Sequence, residues 1–167
     1  MTNGNIIERY ERIWRSVQKE YCRGFCWSER GLQALLHEEL RRFDEFNVVA
    51  EPTWRSARPD LVIVSSGRIT DIFEIKFLPH TSYPGDSDVK KLLSYVGTDK
   101  NPVSLNPETG QWDYSHCLPV QDDCRLHFVV VAQRGREEQW RQCDERVTRW
   151  CGGTGDRYAD PWYIDRA

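Results

Sequence analysis

Apolar residues recur at helical spacing near the start of the chain. Ile6, Tyr10, Ile13, Trp14, Val17 and Tyr21 fall on one stripe, which predicts an amphipathic helix over 5–22. Gly24 suits its end. Ser28 is a good N-cap, and Glu29 falls in the first turn of a second helix. There Leu32, Leu35, Leu36, Leu40 and Phe43 share a face. Glu39 lies at the centre of that face, where a carboxylate is costly unless something pairs with it. Glu38 lies well off the face and reads as solvated charge.

The period then changes. Residues 46–50 form a short Val-containing run, and 59–64 an apolar run bounded by polar residues. Ser65-Ser66-Gly67-Arg68 reads as a turn and 69–77 as a strand, so the two runs predict a β-hairpin. Pro84 and Gly85 mark a loop. Asp86 or Ser87 can cap a helix carrying Val89, Leu92, Leu93 and Val96. From 97 to 123 Asn, Pro, Gly and Asp dominate, which predicts a long surface excursion with room for a small hairpin. Residues 126–132 are a further strand. The charged stretch 135–150, with Trp140, Val147 and Trp150 on one side, reads as a helix, followed by a Gly-rich and then aromatic tail.

The resulting order, α-α-β-β-β-α-β-α, predicts one α/β (α+β) domain over 1–167 in which helices flank a mixed central sheet. Its parts are an extra N-terminal helix (5–22), a core of about 28–132, and a C-terminal helix and tail (135–167). A length of 167 residues fits one domain. No apolar run approaches the roughly 20 residues of a membrane span, and the first residues are polar and charged. A cytoplasmic protein without a membrane partner is expected.

The charge balance is 23 Lys+Arg against 26 Asp+Glu, a formal net charge of −3. That argues against a general polybasic nucleic-acid binder, but is compatible with a local basic groove over an acidic, cation-binding centre. The six cysteines include no CxxC pair. Zinc sets drawn from Cys22, Cys26 and His37, or from His116, Cys117 and Cys124, depart from the usual ligand spacing. Free thiols packed as small hydrophobes are expected instead. Seven Trp and seven Tyr are enough to pack a core and leave a few exposed rings able to stack bases.

The candidate chemistry lies on the hairpin. Strand side chains alternate faces, so Glu74 and Lys76 share one face with Ile72, while Asp71, Phe73 and Ile75 point the other way. The hairpin brings Asp60 near Glu74. Two carboxylates and an ammonium then converge, a set suited to phosphodiester hydrolysis. Asp60, Glu74 and the carbonyl of Ile75 are hard oxygen ligands for Mg²⁺ or Mn²⁺. Such an ion acidifies water and neutralises phosphate charge, and Lys76 can stabilise the developing negative charge. Glu39 could reach the same centre from the helix packed on the sheet. The plainer alternatives are a turn aspartate at Asp60 and edge-strand charges at Glu74 and Lys76.

Pro59-Asp60, thirteen intervening residues, then Glu74-Ile75-Lys76 resembles the motif of the PD-(D/E)XK nuclease superfamily. The element order over about 28–132 is similar to that family's αβββαβ, restriction-endonuclease-like core. The resemblance implies a divalent-metal-dependent nuclease, with DNA as the expected substrate and Asp60, Glu74, Lys76 and Glu39 as catalytic residues. Asp60, Glu74, Glu39 and the Ile75 carbonyl would hold the metal. It also implies a polar residue on the helix after the third strand, with Lys91 the nearest candidate and Lys90 the second. His80 and Arg58 are further candidates for phosphate contact. A homodimer or a larger complex is an expected partner arrangement. The alternative is a module of the same fold that binds nucleic acid or a protein partner with weak or no catalysis.

Overall fold

The computed structural model describes residues 3–43, 45–52, 58–78, 86–96, 103–104, 117–132, 145–153 and 162–166. In chain order the elements are α1 (Asn3–Cys22), α2 (Glu29–Arg41), β1 (Asn47–Ala50), β2 (Leu61–Ser65), β3 (Arg68–Leu78), α3 (Asp86–Leu93), β4 (Val103–Ser104), β5 (Cys117–Leu118), β6 (Val120–Ala132), β7 (Val147–Gly153) and β8 (Tyr163–Arg166). Six strands form one mixed sheet in the order β1-β2-β3-β6-β7-β8. The β3–β6 and β6–β7 pairs are parallel and the others antiparallel. The small β4–β5 pair lies within the segment read as a surface excursion. No helix among the described residues is long and apolar enough to cross a membrane.

The sheet is covered on both faces. Tyr10, Ile13, Trp14 and Val17 of α1 and Leu32, Leu36 and Leu40 of α2 pack with Leu61, Ile63, Phe73, Ile75, Val129 and Trp150 on one face. On the other, Val89 and Leu92 of α3 and Tyr95 just beyond it pack with Val62, Ile72, Phe128 and Val130. At the end of α1, Gly24 takes the left-handed conformation (φ +86°). Its N–H bonds to the Tyr21 carbonyl and the Phe25 N–H to the Glu20 carbonyl, a Schellman close that favours glycine there. Ser28 starts α2 by accepting a hydrogen bond from Gly31 N at 3.1 Å.

The β2–β3 hairpin turns through Ser66 and Gly67, both at positive φ (52° and 72°), as a two-residue type I′ turn requires. Its register shifts once. Leu61 faces Phe73 and Ile63 faces Asp71, but Val64 faces Ile69. Thr70 is therefore the extra residue of a β-bulge. It explains why Ile69 and Ile72, three apart, pack on the same face.

A buried polar network lies on the α1 face. Asp71 Oδ1 accepts from Tyr10 Oη (2.7 Å), Arg125 Nε (2.7 Å) and His127 Nε2 (2.9 Å), and Oδ2 accepts from Arg125 Nη2 and Thr70 Oγ1. Trp150 Nε1 donates to His127 Nδ1 at 3.1 Å. An indole can only donate, so Nε2 carries the imidazole proton and gives it to Asp71. Burial lowers the His127 pKa. Burial alone would raise that of Asp71, but hydrogen bonds from His127 and then Arg125 hold it well below the usual carboxylate range.

Within 135–150 the described residues, 145–150, correct the helical reading, and 135–144 lie outside the described residues. Val147 and Trp150 lie on β7, parallel to β6, and pack on opposite faces of the sheet. A strand buried on both faces lacks the alternation that identifies a strand, and the spacing of these two residues imitated a helix. Glycine follows for a packing reason: a Cβ at Gly152 would lie 2.7 Å from the Trp162 ring. Trp140 lies outside the described residues.

Candidate active site

Asp60 sits immediately before β2. The paired register begins at Leu61 opposite Phe73, and Asp60 lies close enough to Glu74 on β3 for the two carboxylates to repel. Asp60 is held at several atoms. Its N–H donates to the Phe73 carbonyl (3.1 Å) and its carbonyl accepts from Glu51 N and from Gln33 Nε2, each at 2.9 Å. Its Oδ2 accepts from Ile75 N at 2.6 Å. The carboxylate thus takes the place of a ladder carbonyl where β2 has ended. The Ile75 carbonyl leaves the strand on the same side as the Ile75 N–H, toward Asp60.

Glu74 is buried, at 1% exposure, and is held by two lysines. Its Oε1 accepts from Lys76 Nζ at 3.1 Å, and both oxygens lie 2.9 Å from Lys91 Nζ. The Lys76 ammonium also lies 3.8 Å from Asp88 Oδ1 and 3.9 Å from Glu29 Oε1. Side chains from β3, α3 and the first turn of α2 therefore meet at the open end of the hairpin. Tyr95 is buried beside them. Burial, then the charges of Glu74 and Asp60, push its phenol well above its ordinary range.

The electrostatics follow from this crowding. Burial, then the charge of Glu74, raise the Asp60 carboxyl to about 6, against the pull of the Ile75 N–H and of Lys76 and Lys91. Burial alone would lower Lys76, but Glu74, Glu29 and Asp88 hold it above its ordinary value. Four carboxylates (Asp60, Glu74, Glu29, Asp88) face two ammonium groups (Lys76, Lys91). Fully ionised, the cluster carries a net charge of −2.

Of the residues picked from sequence, Asp60, Glu74, Lys76 and Lys91 come together. Glu39 does not join them. It is buried, as its place on the apolar face requires, but its Oε1 pairs with Arg42 Nη1 at 2.7 Å on its own helix. It lies ten residues (39 − 29) beyond Glu29, about 15 Å along the helix. Lys90 and Arg58 are exposed, and His80 lies outside the described residues. The helix glutamate that reaches the centre is Glu29, whose Oε2 also accepts from Phe77 N at 3.4 Å. The available signal was the pair Glu29 and Gln33, four apart on one edge of α2. Asp88 and Tyr95 gave no comparable signal.

Among the described residues, no group of three or more His, Cys, Asp or Glu side chains is arranged to hold a metal ion. The nearest donors, the Asp60 and Glu74 carboxylates, are oxygen ligands of the type a hard divalent cation takes. The residual charge of the cluster and the raised Asp60 carboxyl point the same way, since such a cation relieves carboxylate repulsion. Among the described residues, Cys22, Cys26 and His37 form no metal-holding group; His116 and the side chain of Cys117, from the other zinc set, lie outside the described residues. Cys26 is buried with its Sγ 3.7 Å from the Ser28 carbonyl, and burial raises its thiol. Cys22, Cys26, Cys124 and Cys151 are thiols outside any disulfide. Comparison with protein-family models, with curated proteins and with solved structures finds no match.

Proposed function

We propose that the chain is a divalent-metal-dependent nuclease of the PD-(D/E)XK kind, hydrolysing phosphodiester bonds, with DNA as the first substrate to test. The observation that carries this reading is the convergence of Asp60, held by Ile75 N at 2.6 Å and near Glu74, with the Lys76 ammonium 3.1 Å from Glu74. Support also comes from the order α2-β1-β2-β3-α3-β6, apart from the small β4–β5 pair that lies between α3 and β6, with β3 and β6 adjacent and parallel. That order is the one expected of a restriction-endonuclease-like core.

A Mg²⁺ or Mn²⁺ ion held by Asp60, Glu74 and the Ile75 carbonyl would supply charge to the scissile phosphate and acidify water. The remaining work falls to the chain's own groups. Glu74 aims the Lys76 ammonium, which donates to a phosphate oxygen and stabilises the charge that develops there. The contacts of Asp60 with Ile75 N, Gln33 and Glu51 N fix the first carboxylate on the rigid hairpin. Tyr95 and Leu92 close the side facing α3 to bulk water.

One observation favours a second reading, a nucleic-acid or protein-binding module with little catalysis. Both oxygens of Glu74 are already engaged by Lys91, so a cation must compete for them. One experiment separates the two. The purified chain is incubated with supercoiled, linear and single-stranded DNA and with RNA, in Mg²⁺, Mn²⁺ or EDTA, beside Asp60→Ala and Lys76→Ala. Metal-dependent cleavage lost in both variants supports the nuclease. Binding without cleavage in any metal supports the second reading, and no binding at all sinks both.

A further inference from the structure

We propose that Phe25 and Trp27 form a stacking platform for unpaired nucleotides, so that this chain engages single-stranded rather than fully paired nucleic acid. The proposal rests on the reading of the Asp60–Glu74 centre as a phosphodiesterase. Its starting point is exposure: Phe25 is 66% and Trp27 70% accessible, while the other large aromatics among the described residues are mostly packed.

The local structure explains why these two rings face outward together. Residues 25–27 connect the Schellman close of α1 to the N-cap of α2 without helix or strand. Cys26 is 1% exposed and packs in the core, and the residues on either side of it, Phe25 and Trp27, face solvent. The connection is pinned at each end by Gly24 and Ser28. The Trp27 ring also rests over the turn, since a Cβ on Gly24 would lie 3.3 Å from its Cζ2. The rings are therefore presented by a rigid segment, which lowers the entropic cost of binding.

Position and charge select the partner. Trp27 precedes Glu29 by two residues, at most about 7 Å of chain, and the Glu29 carboxylate lies 3.9 Å from the Lys76 ammonium. The platform thus borders the catalytic cluster. Arg23 and Arg30 flank it and are exposed. Arg23 is shared with Glu20, while Glu29 turns its charge inward to Lys76 and Phe77 N. Aromatic faces edged by guanidinium groups suit bases joined by phosphates. Base faces are hidden inside a duplex and open in a single strand, which fixes the substrate class.

The test reads binding apart from cleavage. Anisotropy of a labelled 12-nucleotide thymidine strand, and of the same strand paired, is measured in EDTA at constant ionic strength. The unmodified chain, Trp27→Phe, and the double variant Phe25→Ala/Trp27→Ala are compared. Single-strand affinity is expected to fall about tenfold for each ring removed, with Trp27→Phe close to the unmodified chain and duplex binding unchanged. Because both rings are exposed, the variants should melt with the parent, which separates lost stacking from lost folding. Equal single-strand binding by the parent and the double variant would overturn the platform, as would a parent that binds no oligonucleotide, an outcome pointing to a protein contact. Loss of binding in the double variant without cleavage by the parent in Mg²⁺ supports the platform and sinks the nuclease. Cleavage by the parent with binding unchanged in the double variant does the reverse.

Discussion

Lys91 Nζ lies 2.9 Å from both carboxylate oxygens of Glu74, joining α3 to the central strand β3 at the candidate active site. A buried carboxylate held this way loses orientation and a neutralising charge when the lysine is removed. Lys91→Met is expected to cost about 1–3 kcal/mol of stability in EDTA. A cation competing with Lys91 would then bind more tightly, so Mg²⁺ should raise the melting temperature more in the variant than in the parent. Equal Mg²⁺ shifts in the two would show that Lys91 and the cation do not compete.

Lys76 Nζ lies 3.1 Å from Glu74 Oε1 and within 4 Å of Asp88 and Glu29. Under the proposed mechanism Lys76→Ala should reduce cleavage by about 100-fold or more while leaving oligonucleotide binding within a few-fold. Single-turnover cleavage beside equilibrium binding makes the comparison. A parallel loss of both would assign Lys76 to binding alone.

Asp60 predicts a trade of stability for chemistry. Its folded pKa, about 6, stands above its ordinary value of 3.8. A raised pKa means the folded state binds the proton more tightly, so the contribution is fully present below about 3.8 and is lost as pH rises through about 6. Without metal, ionised Asp60 therefore costs stability at neutral pH. Asp60→Asn keeps an oxygen for Ile75 N and should melt above the parent at pH 8, the gap closing toward pH 4. Thermal melts in EDTA across that range check the sign, and a gap independent of pH would rule out this origin. The same variant should lose metal-dependent cleavage.

Asp71 predicts the opposite. Its pKa is depressed, so its contribution is present above the ordinary carboxylate value and is lost only as pH falls through the lower folded value. Asp71→Asn leaves the Arg125 guanidinium without its counter-charge and should cost about 3–5 kcal/mol. The deficit should be constant from pH 8 to pH 5 and shrink only in stronger acid. Urea unfolding at several pH values measures it.

Gly152→Ala tests the packing of the last strands. The added methyl would meet the Trp162 ring at 2.7 Å, and about 1–3 kcal/mol is expected for such overpacking. Near-ultraviolet circular dichroism should change with the melting temperature, because Trp162 also packs against Trp14 at 4.6 Å between ring centroids.

The parts of the fold legible in sequence are those specified locally. Ser28, Gly24 and the Ser66-Gly67 turn each announce a boundary through their own backbone preferences, and the hairpin then places Asp60 and Glu74. What was not legible depends on partners distant in sequence. The inward direction of Glu39 followed from the stripe, but its partner is Arg42, and the glutamate delivered to the site is Glu29. Val147 and Trp150 looked helical because a strand covered on both faces has no alternation to read. Asp71 could be assigned to a face, yet nothing local foretold that Arg125 and His127, more than fifty residues away, would close on it. The connection 25–27 gave its aromatic content but not which rings the fold leaves exposed.

The bulge at Thr70 has a mechanical consequence. It divides the hairpin into two independently registered stretches, one running from the turn to Val64 and Ile69, the other from Ile63 and Asp71 to Leu61 and Phe73, next to Asp60 and Glu74. Thr70 is tied into the second stretch, donating to Asp71 Oδ2 at 2.8 Å, and Asp71 is clamped in turn by neighbouring elements. Strain from a changed turn is thereby taken up before it reaches the carboxylates. The tip of this hairpin is insulated from its working end, so the turn can diversify while the alignment of the two acids stays fixed.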